Sequence, residues 1–137
     1  MTQRIPRRDL LKSAAAVGAG LFLGGTTPAI PAAANEKINL AFIGIGGRGS
    51  ANLGSLHRVG ENVVALCDVD DVRAGKAYER HGKARKFKDF RSMFDAMEKQ
   101  IDAVVVSTPD HTHFHPSMIA LGMGKHLYCE KPMAHSI

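Results

Sequence analysis

From Lys37 onward, short apolar runs alternate with stretches whose apolar residues recur every three or four positions. Runs of that length bounded by turn residues predict strands, and the longer spacing predicts helices, so the alternation predicts parallel β-α-β units. Strands are expected at 38–43, 63–68, 85–88, 101–106 and 126–129, and helices at 48–57, 71–81, 90–99 and 114–121. The first helix would turn Leu53 and Leu56 toward the sheet. The third carries Phe90, Met93, Phe94 and Met97 at helical spacing, a core stripe. Residues 101–106 are almost continuously apolar, the mark of a strand covered on both faces.

The first strand breaks directly into Gly44-Ile45-Gly46-Gly47-Arg48-Gly49, which contains the spacing Gly-x-Gly-x-x-Gly. In a dinucleotide-binding turn, Gly44 permits the tight bend and Gly46 lets the backbone approach a pyrophosphate. Gly49 lets the next helix pack against the strand. The helix start offers free N–H groups and the positive end of its dipole. Such a motif is weak alone, but its place between strand and helix predicts an α/β fold of the Rossmann type, a doubly wound parallel sheet.

At 137 residues there is room for little more than one domain, and the last residues look like the opening of an unfinished element. We therefore expect 35–137 to be a truncated dinucleotide-binding domain with its sheet incomplete at the C-terminal end. The net charge of +5 is concentrated early, where Arg4, Arg7, Arg8 and Lys12 oppose Asp9 alone. The remainder is near balance, Trp is absent, and no basic stripe with interleaved aromatics argues for nucleic acid. Arg7-Arg8 precedes a mildly apolar, Ala- and Gly-rich stretch and then Pro31-Ala32-Ala33-Ala34. Residues 1–34 thus resemble a twin-arginine signal peptide cleaved after Ala34. The apolar stretch is too short and Gly-diluted for a stable membrane anchor. Export to the periplasm through the twin-arginine machinery is the expected route. Cys67 and Cys129 fall on strands two and five, separated by two others at about 4.8 Å each, so both are expected free and partly buried.

Three further groups carry chemistry. Asp68 stands 19 residues beyond Gly49, where an acid at the end of strand two bonds the adenosine ribose hydroxyls. The competing role, capping the next helix, can fall to Asp70 or Asp71. The charge of Asp68 favours NAD over NADP, although Arg48 and Arg73 keep a 2′-phosphate open. Thr108, Pro109 and His113 lie where strand four meets its loop, on the edge where open sheets bind ligands. His111, His113 and His115 are flanked by prolines and lack a completing acid or thiol, so no metal site is expected. The expected place for one or two of these histidines is near the nicotinamide. Glu130-Lys131-Pro132 follows strand five, placing a lysine where it can orient a substrate hydroxyl, and the X-Pro bond is open to a cis form that would aim it.

The glycine turn, Thr108-Pro109-Asp110-x-x-His113, and Gly124-Lys125-His126-Leu127-Tyr128-Cys129-Glu130-Lys131-Pro132 together resemble the N-terminal half of the glucose-fructose oxidoreductase and inositol dehydrogenase family, Gfo/Idh/MocA. The resemblance covers nearly all of 37–137. It implies an NAD(P)-dependent oxidoreductase of a sugar, polyol or related hydroxyl compound. A second α/β domain, absent here, would shape the substrate site, carry the proton-transfer residues and mediate homo-oligomerisation. By the same resemblance Glu130 and Lys131 match the family's Glu-Lys-Pro motif. Lys131 would contact both cofactor and substrate as the catalytic residue of this half, and His113 matches the histidine after the strand-four Thr-Pro. An NAD-dependent glycoside hydrolase and a non-catalytic dinucleotide module are the alternatives.

Overall fold

The computed structural model describes residues 37–135; the expected leader at 1–34 lies outside them. Parallel strands β1 (Asn39–Ile43), β2 (Asn62–Cys67), β3 (Arg85–Phe87), β4 (Ala103–Val106) and β5 (His126–Cys129) form one sheet in the order β3-β2-β1-β4-β5. Helices α1 (Arg48–Val59), α2 (Asp71–Arg80), α3 (Phe90–Met97) and α4 (Phe114–Gly122) make the crossovers. The expected bounds are off by two residues at three places: α1 runs on to Val59, α3 stops at Met97 where a 3-10 turn at Glu98–Gln100 takes over, and β4 begins at Ala103.

Strand residues alternate between two cores, as a sheet covered on both sides requires. Leu40, Phe42, Leu66 and Val105 meet Leu53 of α1 and Ala74, Ala77 and Tyr78 of α2. Ala41, Ile43, Ala65, Cys67, Val104 and Val106 meet Met93, Phe94 and Met97 of α3 and Ala120 of α4. Leu56 and Phe90 pack at the flanks of these clusters, half-buried. Each fully buried Val, Leu, Ile, Phe or Met of the two clusters contributes about 1.5–3 kcal/mol. Asp70 starts α2 by accepting from the N–H groups of Val72 and Arg73, and Asp89 starts α3 by accepting from Arg91. Gly60, at φ +96°, ends α1 in the left-handed conformation.

Both cysteines are free. Cys67 is buried outright rather than partly, since it faces the Met93 core, while Cys129 is half-buried on β5. Burial foremost, then the charges of Asp68 and Asp89, pushes the Cys67 thiol up to about 12.

Sequence order reverses between β1 and β4. The chain leaves β1 into α1 on one face and leaves β4 toward α4 on the other, opening a crevice at their carboxyl ends. In open sheets that crevice is where ligands bind.

Candidate cofactor and substrate site

The glycine turn is built to bring three backbones together. Gly44 has φ +79°, and a Cβ there would stand 2.7 Å from the Thr108 nitrogen and 2.8 Å from the Ser107 carbonyl carbon. A Cβ at Gly49 would fall 1.8 Å from the Gly44 carbonyl oxygen. Only hydrogens fit at either position. Gly47, at φ +51°, precedes α1 without a side-chain cap, and the first turn of α1 holds no acid. The positive end of this helix is therefore left to the crevice.

Asp68 sits opposite. One carboxylate oxygen accepts from the N–H of Ile45 at 2.8 Å and of Gly46 at 3.1 Å, and the other accepts from Asp70 at 3.0 Å. It fixes the turn from the neighbouring strand, while Asp70 takes the capping role. The side chain of Ile45 is fully buried, so its contribution to the crevice is backbone. Arg73 leans over the turn, its Cβ and Nε 3.3 and 3.5 Å from where a Gly46 Cβ would be.

Two cavities run along this edge. One, of about 490 Å³, spans Gly44, Gly46, Gly47, Asp68, Arg73, Thr108 and Pro109. The other, of about 460 Å³, is lined by Arg48, Ser107, Thr108, Asp110, His113, Glu130 and Lys131. They share Arg48, Ser107 and Thr108 as a common wall. The Thr108 hydroxyl is buried there with no hydrogen-bond partner, a donor left for a bound molecule.

At the far end, Glu130 accepts from Asn52 at 2.8 Å, from Arg48 at 3.0 Å and from Tyr128 at 3.2 Å. Asn52 foremost, then Arg48, holds the Glu130 carboxyl down at about 2. Asn52 also donates to the Ser107 hydroxyl at 3.0 Å. Lys131 follows, exposed, and its bond to Pro132 is cis, the form that the sequence left open. His113 is 1% exposed, with Nδ1 2.7 Å from the Pro132 carbonyl oxygen and Nε2 2.7 Å from that of Thr108. His113 lines the smaller cavity, on the edge where one or two of the three histidines are expected, with both ring nitrogens committed to backbone. Among the described residues no three His, Cys, Asp or Glu side chains cluster as a metal site.

Every sequence-expected site residue therefore lies along one edge, with Asp68 and Lys131 at opposite ends. Asn52 and Ser107 were missed. Asn52 lies four positions after Arg48 and so shares its helix face. That spacing was visible, but its partner on β5's far end was not. A larger open depression, about 930 Å³, lies at the opposite edge around His57, Arg80 and His81, far from the glycine turn.

Residues 38–137 match the oxidoreductase family GFO_IDH_MocA, NAD-binding Rossmann fold. The chain belongs to this family. An inositol 2-dehydrogenase of Rubrobacter xylanophilus is 39% identical over 74% of this chain and 29% of its own length. A glycosyl hydrolase family 109 protein of Solibacter usitatus is 35% identical over 96% of this chain and 34% of its own. Among solved structures, the WlbA dehydrogenase of Chromobacterium violaceum, in complex with NADH and UDP-GlcNAcA, superposes with a TM-score of 0.63 at 31% identity, over 72% of this chain and 28% of its own. The myo-inositol 2-dehydrogenase of Lactobacillus plantarum gives 0.68 at 25%, over 74% and 30%. The chain thus spans about a third of the length of the family members it matches, and what it matches is their NAD-binding part. The glycine cradle and the unpartnered Thr108 hydroxyl fit a dinucleotide.

Proposed function

We propose that this chain is the cofactor-binding part of an NAD-dependent oxidoreductase acting on a sugar, polyol or related hydroxyl compound. The observation that carries it is the pair of adjoining cavities, with the Asp68 carboxylate at one end, the glycine turn between and Lys131 at the other. Asp68 would take the adenosine ribose hydroxyls, and its charge opposes a 2′-phosphate. Arg73 beside it, with Arg48, keeps NADP open as the alternative cofactor. The backbone of Gly44, Ile45, Gly46, Gly47 and Gly49, with the Arg48 guanidinium, would hold the pyrophosphate. Thr108 and Pro109 would line the path of the nicotinamide half. Glu130 would set the position of Lys131, whose ammonium would orient a substrate hydroxyl and stabilise charge developing on it. NAD, when bound, supplies the hydride acceptor. A proton acceptor would come from a second domain of the whole protein, which would also carry homo-oligomer contacts. The test is turnover of the full-length protein on a polyol and sugar panel, read as NADH release. Lys131→Ala should keep NAD affinity while lowering kcat, and equal activity would exclude the role given to Lys131.

A second reading has its own support. The alignment with the family 109 protein takes in 96% of this chain, so it extends into the first 36 residues, whereas that with the Rubrobacter inositol dehydrogenase covers 74%. An NAD-dependent glycoside hydrolase would leave bound NAD unchanged while cleaving an aryl glycoside. Absence of NADH release together with glycoside cleavage selects it. We also propose that residues 1–34 are a twin-arginine signal and 35–137 the folded domain. Lys at both Arg7 and Arg8 should then retain the protein in the cytoplasm, and undiminished export would refute that.

A further inference from the structure

Lys131 stands between two ties. On one side Glu130 is held from α1 by Arg48 and Asn52. On the other, the His113 ring bridges the carbonyl oxygens of Pro132 and Thr108, 2.7 Å from each. A carbonyl oxygen can only accept, and a neutral imidazole donates from one nitrogen while presenting a lone pair on the other. A neutral ring here would aim that lone pair at a carbonyl oxygen in a place closed to water. Both contacts are hydrogen bonds only if both nitrogens carry a proton. Their shortness matches charge-assisted bonds.

We propose that His113 is held as an imidazolium and acts as a positioning residue, fastening the loop after β4 to the segment that carries Lys131. The charged groups sharing its cavity are Arg48 from α1, Glu130 and Lys131 from the segment after β5, and Asp110 from its own turn. The two acids offset the two neighbouring cations, and the two carbonyl dipoles face the ring itself. His111 turns to Asp110, 3.6 Å away. A ring carrying a single proton would keep only one of the two ties and leave Lys131 looser, with the glycine turn untouched. The positioning role rests on the function proposed for Lys131; the protonation state does not.

The deciding measurement is made on the full-length protein labelled with ¹⁵N-histidine, with His113 assigned through its backbone. Two proton-bearing ring nitrogens at pH 7.5 are expected, and one bare nitrogen overturns the proposal. His113→Gln can donate from one end only. It should lower kcat by about tenfold to a hundredfold, the effect of one lost charge-assisted hydrogen bond. It should also leave NAD affinity within about twofold. A rise in the NAD dissociation constant matching the fall in kcat would show direct cofactor contact and overturn the positioning role. A wild-type protein without turnover would refute the oxidoreductase reading, while the ring-nitrogen signals would still decide the imidazolium.

Discussion

The same substitution at two glycines should shift stability in opposite directions. At Gly44, alanine must adopt φ +79°, which costs a non-glycine residue about 1–2 kcal/mol. Its Cβ would also lie 2.7 and 2.8 Å from backbone atoms of Thr108 and Ser107, nearer than the roughly 3.5 Å at which carbon atoms rest. The ends of β1 and β4 must part. The bonds at risk are Gly44 N–H to the Cys67 carbonyl and Ser107 N–H to the Ile43 carbonyl, both 2.8 Å. At about 0.5–1.5 kcal/mol each, these bring the expected loss to about 2–5 kcal/mol. Gly54 lies inside α1 with nothing within 4 Å of its missing Cβ. Gly54→Ala should stabilise by about 0.4–1 kcal/mol through helix propensity and a less flexible unfolded chain. Urea unfolding followed by circular dichroism separates them. At about 1–3 kcal/mol per molar, the Gly44→Ala midpoint should fall by roughly 1 M or more while that of Gly54→Ala rises by tenths. If Gly44→Ala unfolds with the wild type, the close approach of β1 to the loop after β4 is not what requires glycine there.

Gly46→Val should eliminate NAD binding by filling the cradle beneath Arg73, and calorimetric titration with unchanged affinity would remove the pyrophosphate role of the turn. The Glu130 carboxyl, at about 2 against an ordinary 4.5, binds fewer protons folded than unfolded in that interval. Its contribution to stability is thus complete above about 4.5 and lost as pH falls through about 2. Carboxyl ¹³C NMR should show that low midpoint, Asn52→Leu should raise it, and an ordinary midpoint in the wild type would contradict the clamp. His81, lowered by burial and by His57 and Arg80, binds fewer protons when folded. Stability should decline as pH drops below its ordinary 6.5, and His81→Phe should flatten that decline in urea titrations from pH 7 to 5. Cys67 should resist alkylation in the folded protein while Cys129 reacts, and equal rates would argue against its burial.

The fold was legible because each layer left a periodic trace. The almost continuously apolar run at 101–106 announced a strand covered on both faces, and Met93, Phe94 and Met97 announced what covers one of them. The site was legible in part for a different reason: Gly44, Gly49 and Asp68 fall at the fixed spacing of one strand-turn-helix-strand unit. What stayed hidden depends on chain segments distant in sequence. Asn52 is 78 residues from Glu130, and nothing about a polar residue on a helix says which loop it will meet. His113 was noticed as a histidine on the ligand edge. Its engagement with two carbonyls follows only from how the segment after β5 folds back across it, 19 residues further on.

The alternation of strand residues between two helical layers has a consequence for how such a protein changes over generations. Leu40 and Phe42 answer to α1 and α2, while Ala41 and Ile43 answer to α3 and α4. Substitutions in the two clusters share few direct contacts, so their costs should largely add. Either interior can drift while the other stays fixed. The carboxyl edge has no such freedom, because the turn entering α1 and the loop leading to α4 meet there, at Gly44 and Ser107. Divergence can therefore run through both interiors and still leave that junction as the part by which distant members are matched.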